Sequence, residues 1–221
     1  MSDEPWNLNK LRKYVEKNYS DPKIYLAQIN SIGRTVDIFI YHMSTAKALI
    51  DRIEPKDHKD ALNPIIPPKE KKFQLHDIRL GIQSETQATV HNARSIHDMF
   101  SQIANGLLIS PPMEIAKCNI VGLAKKLPPS DLKDSIREML DSESYSYINA
   151  FVNTIKHRNL VEFSARIDFQ EGKGGVQFQG FEYGGRYFKP LWAVQVIENA
   201  LEVKNRIVMA GRLLNGELGI T

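Results

Sequence analysis

Residues 29 to 53 carry apolar side chains at alternating intervals of three and four, and this spacing limits the folds open to the chain. The apolar positions are Ile29, Ile32, Val36, Phe39, Met43, Ala46, Ile50 and Ile53. On an α-helix such positions form one continuous stripe. A stripe of this length packs along neighbouring helices, so the pattern predicts a long helix in the core of a bundle.

Further stretches with helical periodicity lie on both sides of this helix. They predict a short helix over about 5–18, a third helix over about 75–108, a stretch from 131 to about 158 with a break at 141–144, and a last helix over about 190–214. The long helix itself begins after Ser20 or Asp21, which can cap it, with Pro22 in its first turn. Residues 54–72, rich in proline and then in charge, predict a loop.

The period changes from 3.6 to 2 after the fourth helical stretch. One strand is predicted over residues 161–169 and a return strand over 176–183, with a glycine-rich turn at 172–175 and Gly180 as a bulge. Gly184 and Gly185 are predicted to end this hairpin. The predicted fold is mainly α: a single domain over 1–221, built as a bundle of four to five long helices, with one β-hairpin at 161–188 inserted before the last helix.

Composition excludes several classes of protein. The chain has 221 residues, a net charge of +3, 42% apolar and 25% charged residues, which are ordinary globular values. A single cysteine allows no internal disulfide, and neither it nor the six histidines show metal-ligand spacing, so we expect no metal and no cofactor. No apolar run reaches the roughly 18 residues of a membrane span, and the first residues are acidic and polar rather than a secretory signal. We therefore expect a cytoplasmic protein that does not enter the membrane.

Polar and basic side chains line one side of the helix that precedes the hairpin. Asn149, Asn153 and the Lys156–His157 pair recur at intervals of three or four, and Arg158 follows directly. One interpretation is structural: the cations cap the negative end of the helix dipole. The other interpretation is a phosphate or phosphodiester site.

Each of these residue types has a role in the second interpretation. Histidine is the residue type whose side chain can give or take a proton near neutral pH, so His157 is a candidate catalytic residue together with Arg158. Lys156 or Arg158 can balance the charge on a phosphate. Asn149 and Asn153 can orient the imidazole or bind a ribose 2′-hydroxyl. Cleavage of RNA through that hydroxyl needs such groups and no metal.

The third helix contributes a second, weaker set of candidates. His91 and Arg94 share a face and could join His157 across two helices as substrate-binding residues, although Arg94 can also pair with Asp98 four residues on. Glu85 and Thr89 interrupt the apolar stripe of this helix. We expect an exposed stretch there rather than a lined cavity, and the cavity alternative would suit a small-molecule-binding bundle.

The segment Asn153-x-x-Lys156-His157-Arg158, at the end of a helix in an all-helical bundle, resembles the HEPN superfamily, and in particular its divergent bacterial branches of uncharacterised or abortive-infection-like proteins. The usual active motif of that family is an Arg, often followed by a polar residue, with a His four to six positions after the Arg. Here the polar residue is Asn159, positions 162–164 hold Glu, Phe and Ser, and the histidine precedes the arginine. The resemblance implies a helical bundle that dimerises, and in many members a metal-independent ribonuclease of toxin–antitoxin or defence systems.

Two functions from different classes follow. The first is a HEPN-like protein that binds or cleaves RNA, with RNA or a nucleotide as partner. The alternative is a non-catalytic interaction module that forms a homodimer through its long helices. Aromatic residues near the hairpin either stack on bases or, as we expect, pack the hairpin onto the bundle: Phe178, Phe181, Tyr183, Tyr187 and Phe188.

Overall fold

The computed structural model of the chain describes residues 5–53, 69–168 and 173–220. In these ranges it holds seven α-helices and five short strands, so the predicted mainly α class is confirmed. The helices are α1 (Leu8–Asn18), α2 (Lys23–Asp51), α3 (Lys72–Leu108), α4 (Ile120–Lys126), α5 (Asp131–Leu140), α6 (Glu143–His157) and α7 (Ala193–Glu217). Most of the predicted loop at 54–72 lies outside the described residues, and its last part, Lys69–Lys71, is a 3₁₀ turn that leads into α3.

Polar side chains fix the start of three of these helices. Oδ1 of Asn7 and Oδ1 of Asn119 accept hydrogen bonds from the backbone N–H three residues on, at 3.0 and 2.9 Å, ahead of α1 and α4. The hydroxyl of Ser130 does the same ahead of α5, at 3.4 Å. Each oxygen satisfies an N–H that the first turn of a helix leaves unpaired.

The predicted stripe of α2 is confirmed by its burial. Ile32, Phe39, Ala46 and Ile53, which are seven residues apart, are buried, and so is Ile29. The other three positions of the stripe, Val36, Met43 and Ile50, are half-buried. A seven-residue repeat of buried positions is the signature of a helix that packs lengthwise against its neighbours.

The chain divides into two compact units. The first unit comprises Met1–Ile38, Asn92–Ser146 and Leu201–Thr221, and the second comprises Phe39–His91 and Tyr147–Ala200. The core of the first unit includes Leu11, Val15, Ile29, Ile32, Ile96, Phe100 and Ile103. The core of the second unit includes Phe39, Ile82, Val90, Phe151, Phe178, Val196 and Ile197.

The β-region is more elaborate than one hairpin. Strands β1 (Phe163–Asp168) and β2 (Lys173–Phe178) pair antiparallel in the register Phe163↔Phe178, which confirms the predicted antiparallel pairing. The predicted turn at 172–175 is wrong in position, because Gly174 and Gly175 belong to β2 and pair with β1. A short strand β5 (Leu191–Trp192) adds to the other edge of β2. The last helix therefore begins at Ala193, three residues after Pro190.

The predicted return strand over 176–183 is wrong, because it breaks after Phe178. Gly180 lies in this break, and the following residues form β3 (Phe181–Tyr183), which pairs with β4 (Arg186–Phe188) as a second hairpin. Gly184 and Gly185, predicted to end the hairpin, are instead its two-residue turn, with φ of +61° and +78°. Two consecutive positive φ angles match the turn that connects adjacent antiparallel strands, and glycine adopts them without strain.

The polar interruption of α3 is buried rather than exposed. Thr86 and Thr89 are fully buried, which overturns the expected exposed stretch at Thr89. The Thr89 hydroxyl donates to the backbone oxygen of Glu85 at 2.8 Å, so its polar group is satisfied within the helix. The carboxylate of Glu85 lies 2.6 Å from Nδ1 of His42 on α2. Among the described residues, none of the helices is both long and apolar enough to span a bilayer.

Candidate nucleic-acid interface

Aromatic packing holds the β3–β4 hairpin against α6. The ring of Phe151 lies 5.2 Å from that of Phe178 and 6.0 Å from that of Phe181, measured between centroids. Tyr147, one turn earlier on α6, contacts Phe181 and Phe188 at 5.6 and 6.0 Å. The expected packing role is therefore confirmed for Phe178, Phe181 and Phe188 but not for Tyr187, which is exposed. This packing holds the hairpin beside the C-terminal end of α6.

The three predicted cationic or titratable residues lie together at that end. Lys156 and His157 occupy the last turn of α6, and the backbone N–H of Arg158 still donates to the Thr154 oxygen at 2.9 Å. All three side chains are exposed. Their charge complements the unpaired carbonyl groups at a helix C-terminus, and their exposure leaves them accessible to a ligand.

Arg158 connects α6 to the hairpin. Its Nη1 donates to the backbone oxygen of Glu182 at 3.0 Å, and its guanidinium carbon lies 5.3 Å from the centre of the Tyr183 ring. A guanidinium at this distance from an aromatic face is attracted to it.

A second arginine lies on the same face of the hairpin. Arg186 is the cross-strand partner of Tyr183, and its guanidinium carbon lies 5.0 Å from the centre of the Phe188 ring. Tyr187 alternates to the opposite face, where it is 61% exposed. Two arginines therefore lie over aromatic rings of the hairpin: Arg158 comes from the end of α6, and Arg186 from the hairpin itself. We call the exposed set Lys156, His157, Arg158, Arg186 and Lys189 the basic surface.

His91 on α3 lies within electrostatic reach of this surface. Burial lowers the pKa of the His91 imidazole below 6.5, and the nearby charge of Lys156 lowers it further. The structure therefore brings His91 of α3 near Lys156 of α6, and both were predicted as binding residues. His91 is predominantly neutral at pH 7, so it can accept a proton there.

Asn149 and Asn153 share a face of α6, as the spacing predicted, and bond to one another. The Nδ2 group of Asn153 donates to the backbone oxygen of Asn149 at 2.9 Å and to its Oδ1 at 3.3 Å. Both side chains are half-buried.

Arg94 takes part in a different cluster, in the first unit. Its Nη1 donates to the Asp98 carboxylate at 2.7 Å, which confirms the predicted pair, and it also contacts Nδ1 of His97. His97 is fully buried, and its ring lies 5.3 Å from that of Tyr145. Burial lowers the pKa of His97, and the charge of Arg94 acts in the same direction against the opposing effect of Asp98. Arg94 is thus engaged by its own helix.

Two polar features of the structure have no signal in the sequence. The His42–Glu85 contact joins residues 43 positions apart on different helices, and His42 lies in no motif. The Arg158–Tyr183 contact depends on a hairpin whose second half was not predicted. In the part of the chain that the structure describes, no three His, Cys, Asp or Glu side chains are grouped closely enough to hold a metal ion.

Comparison of the chain with family models, with curated proteins and with solved structures gives no match.

Proposed function

We propose that this chain binds RNA through the basic surface at the end of α6 and on the β3–β4 hairpin. One observation carries the proposal: Arg158 and Arg186 lie over Tyr183 and Phe188 on the same face of one hairpin. Guanidinium groups bind phosphates through paired, charge-assisted hydrogen bonds, and a side chain already held over a ring loses less freedom when it does so.

The neighbouring side chains suit a single-stranded nucleic acid. Lys156, two residues before Arg158, and Lys189, three residues after Arg186, are exposed and add positive charge. Phosphate contacts supply most of the affinity of such proteins. Tyr187 presents an exposed ring on the outer face of the hairpin, and an unpaired base can stack on such a ring. The choice of RNA rests on the resemblance to HEPN proteins and on the two half-buried asparagines, which are suited to a 2′-hydroxyl.

Fluorescence anisotropy with a labelled single-stranded RNA tests the proposal. Replacing both arginines (Arg158→Gln with Arg186→Gln) should weaken binding at least about tenfold, because each charge-assisted contact contributes roughly 1.5 kcal/mol or more. The dependence of log Kd on log salt should become shallower by about 1.4, since each phosphate contact on a single strand contributes about 0.7.

A matched control removes the same charge elsewhere. Lys13→Gln with Lys17→Gln acts on two exposed lysines of α1 and should leave binding close to that of the wild type. Equal affinity of the arginine variant and this control would contradict the proposal, as would an absence of wild-type binding at low salt. DNA of the same sequence, bound less tightly, would support a role of the 2′-hydroxyl.

Metal-independent cleavage of the bound RNA extends this proposal. His91, kept neutral by burial and by Lys156, would take the proton from the 2′-hydroxyl as its oxygen attacks phosphorus. The P–O5′ bond breaks, and His157 would give a proton to the departing 5′-oxygen. Lys156 would stabilise the charge on the five-coordinate phosphorus. The products are a 2′,3′-cyclic phosphate and a 5′-hydroxyl.

Cleavage is tested separately from binding, by incubating RNA with the protein in EDTA. His157→Ala and His91→Ala should each abolish the cyclic-phosphate product while the thermal melting curve stays nearly unchanged for the exposed His157. Binding without cleavage by the wild type would remove the enzymatic step and leave the RNA-binding proposal intact.

A homodimer is a second candidate, favoured by exposed apolar residues of the second unit. Phe73 and Leu80, seven residues apart on α3, are 84% and 57% exposed. Ile40 and Tyr41 on α2 are also exposed. Apolar side chains in this number on adjacent elements of one unit are typical of an interface, and the HEPN resemblance implies a second copy of the chain as the partner.

Light scattering coupled to size exclusion tests the dimer. Phe73→Ser with Leu80→Ser should shift the mass toward that of one chain, whereas Ile115→Ser, an equally exposed residue of the first unit, should not. A wild-type protein that has the mass of one chain at high concentration would refute the dimer.

A further inference from the structure

A groove with a volume of about 950 Å³ lies in the first unit, where the segment ahead of α1 meets α7. It is formed by residues 5–10 and Arg12 on one side and by residues from Met209 to Ile220 on the other. Ligand sites in proteins have volumes of about 300 to 1,000 Å³, so the groove is large enough for a small organic molecule.

Hydrogen bonds fix the two sides of the groove to each other. The indole N–H of Trp6 donates to Oδ1 of Asn215 at 3.1 Å, and Nδ2 of Asn215 donates to the backbone oxygen of Asn7 at 3.1 Å. Gly211 permits this arrangement, because a Cβ there would lie only 2.1 Å from the Trp6 ring. The groove is therefore built by packing between residues that are about 200 positions apart in the sequence.

The lining of the groove is half apolar and half polar. Its apolar part includes four half-buried side chains: Leu8, Met209, Leu213 and Ile220. Its polar part consists of three amide side chains and three cations: Asn7, Asn9, Asn215, Lys10, Arg12 and Arg212. Among the residues that the structure describes, the lining contains no acidic side chain.

Two amide side chains orient Arg12 within this lining. Its Nε donates to Oδ1 of Asn30 at 2.8 Å and its Nη1 to Oδ1 of Asn9 at 2.5 Å. Both partners are neutral amides, so they orient the guanidinium without balancing its charge. A guanidinium has five N–H groups, and an anion can accept from those that remain.

We propose that this groove binds a small organic phosphate, that is, an apolar body that carries one or more phosphate groups. The guanidinium of Arg12, held by two neutral amides, can bind two phosphate oxygens through paired N–H groups, and Lys10 and Arg212 are further cationic side chains of the same lining. The apolar floor formed by Leu8, Met209 and Leu213 provides a surface for the rest of the molecule. An inorganic anion would leave that floor in water.

This site goes beyond the proposed RNA binding, because the groove and the basic surface belong to different units. It makes a separate prediction. Replacement of Arg158 and Arg186 should leave the binding of small phosphates unchanged, and replacement of Arg12 should leave RNA binding unchanged.

Isothermal titration calorimetry of the full chain tests the site with four probes: phenyl phosphate, ATP, inorganic phosphate and benzoate. We expect phenyl phosphate or ATP to bind at least about tenfold more tightly than inorganic phosphate or benzoate. The comparison of phenyl phosphate with ATP distinguishes a simple aromatic phosphate from a nucleoside phosphate. Equal affinity for inorganic and organic phosphate, or no heat with any probe, would overturn the proposal.

Two variants locate the binding and check folding. Arg12→Gln and Arg212→Gln should each weaken binding of the preferred probe about tenfold, whereas Lys125→Gln, an exposed residue outside the groove, should not. The melting curve of each variant shows whether it is folded. In a Trp192→Phe background the emission of Trp6, which lines the groove, should change on titration. Unchanged affinity in both folded arginine variants would refute the site.

Discussion

Gly211 lies in α7 beneath the indole ring of Trp6, and one added methyl group there should destabilise the protein. A Cβ at position 211 would lie 2.1 Å from Cδ2 and 2.5 Å from Cε2 of the indole. Carbon atoms in contact are about 3.5 to 4.0 Å apart, so the ring would have to move by more than about 1 Å. Trp6 is buried, packs edge-on against Phe100 at 5.9 Å and is hydrogen-bonded to Asn215, so little space is open to it.

The expected loss in the free energy of unfolding combines three contributions. Overpacking of a filled core costs about 1–3 kcal/mol, and losing the hydrogen bond from Trp6 to Asn215 costs about 1 kcal/mol. The replacement of glycine by alanine inside a helix returns about 1 kcal/mol. Gly211→Ala should therefore lower the free energy of unfolding by about 2 kcal/mol, and the Tm by about 4–8 °C for a protein of this size.

Thermal unfolding followed by far-UV circular dichroism measures this loss, and Gly216→Ala is the matched control. Gly216 lies in the same helix with nothing within 4 Å of an added Cβ, so alanine there should keep or slightly raise the Tm. If Gly211→Ala melts at or above the wild-type temperature, the indole ring can move freely. Trp6 would then not hold the segment ahead of α1 against α7.

Three further outcomes test the cores and the caps. Because burial lowers the pKa of His97 below 6.5, the unfolded chain binds more protons below that pH. The free energy of unfolding should therefore fall as the pH is lowered from about 7 to about 5, less steeply in His97→Gln than in His76→Gln, an exposed control, when measured by urea titration. Phe151→Ala should cost about 3–5 kcal/mol in the same assay, and Leu160→Ala, which removes an exposed side chain, less than about 0.5 kcal/mol; similar values for the two would contradict the packing described for the hairpin. Asn119→Ala should cost about 1 kcal/mol through loss of the α4 cap, and no loss would show that the cap contributes nothing.

Local patterns were enough to predict most of the helical architecture. The three-four spacing of α2, the helix start at 131 and the break before α6 each depend on residues close in sequence, and each is confirmed. The second hairpin was missed because Gly184 and Gly185 suit both the end of a strand and a tight turn. The choice between these depends on whether β4 pairs with β3, and the local sequence does not determine that pairing.

The candidate sites depended more heavily on contacts between distant residues. The sequence placed Lys156, His157 and Arg158 correctly on one helix end, because helical spacing alone determines that. It could not predict that Arg158 lies over Tyr183, since that contact needs the second hairpin. The groove could not be predicted from the sequence for the same reason. Arg12 and Arg212 lie 200 positions apart, and only the packing of Trp6 against α7 brings them to one place.

The hydrogen bond between Trp6 and Asn215 has a practical consequence for experiments with the protein. Pro5 and Ile220 both line the groove, so an affinity tag or fusion partner joined directly at either of these residues would lie beside it. An acidic tag would then compete for the arginines, and a polyhistidine tag would add its own anion-binding groups. Titrations of the groove therefore need protein from which the tag has been cleaved.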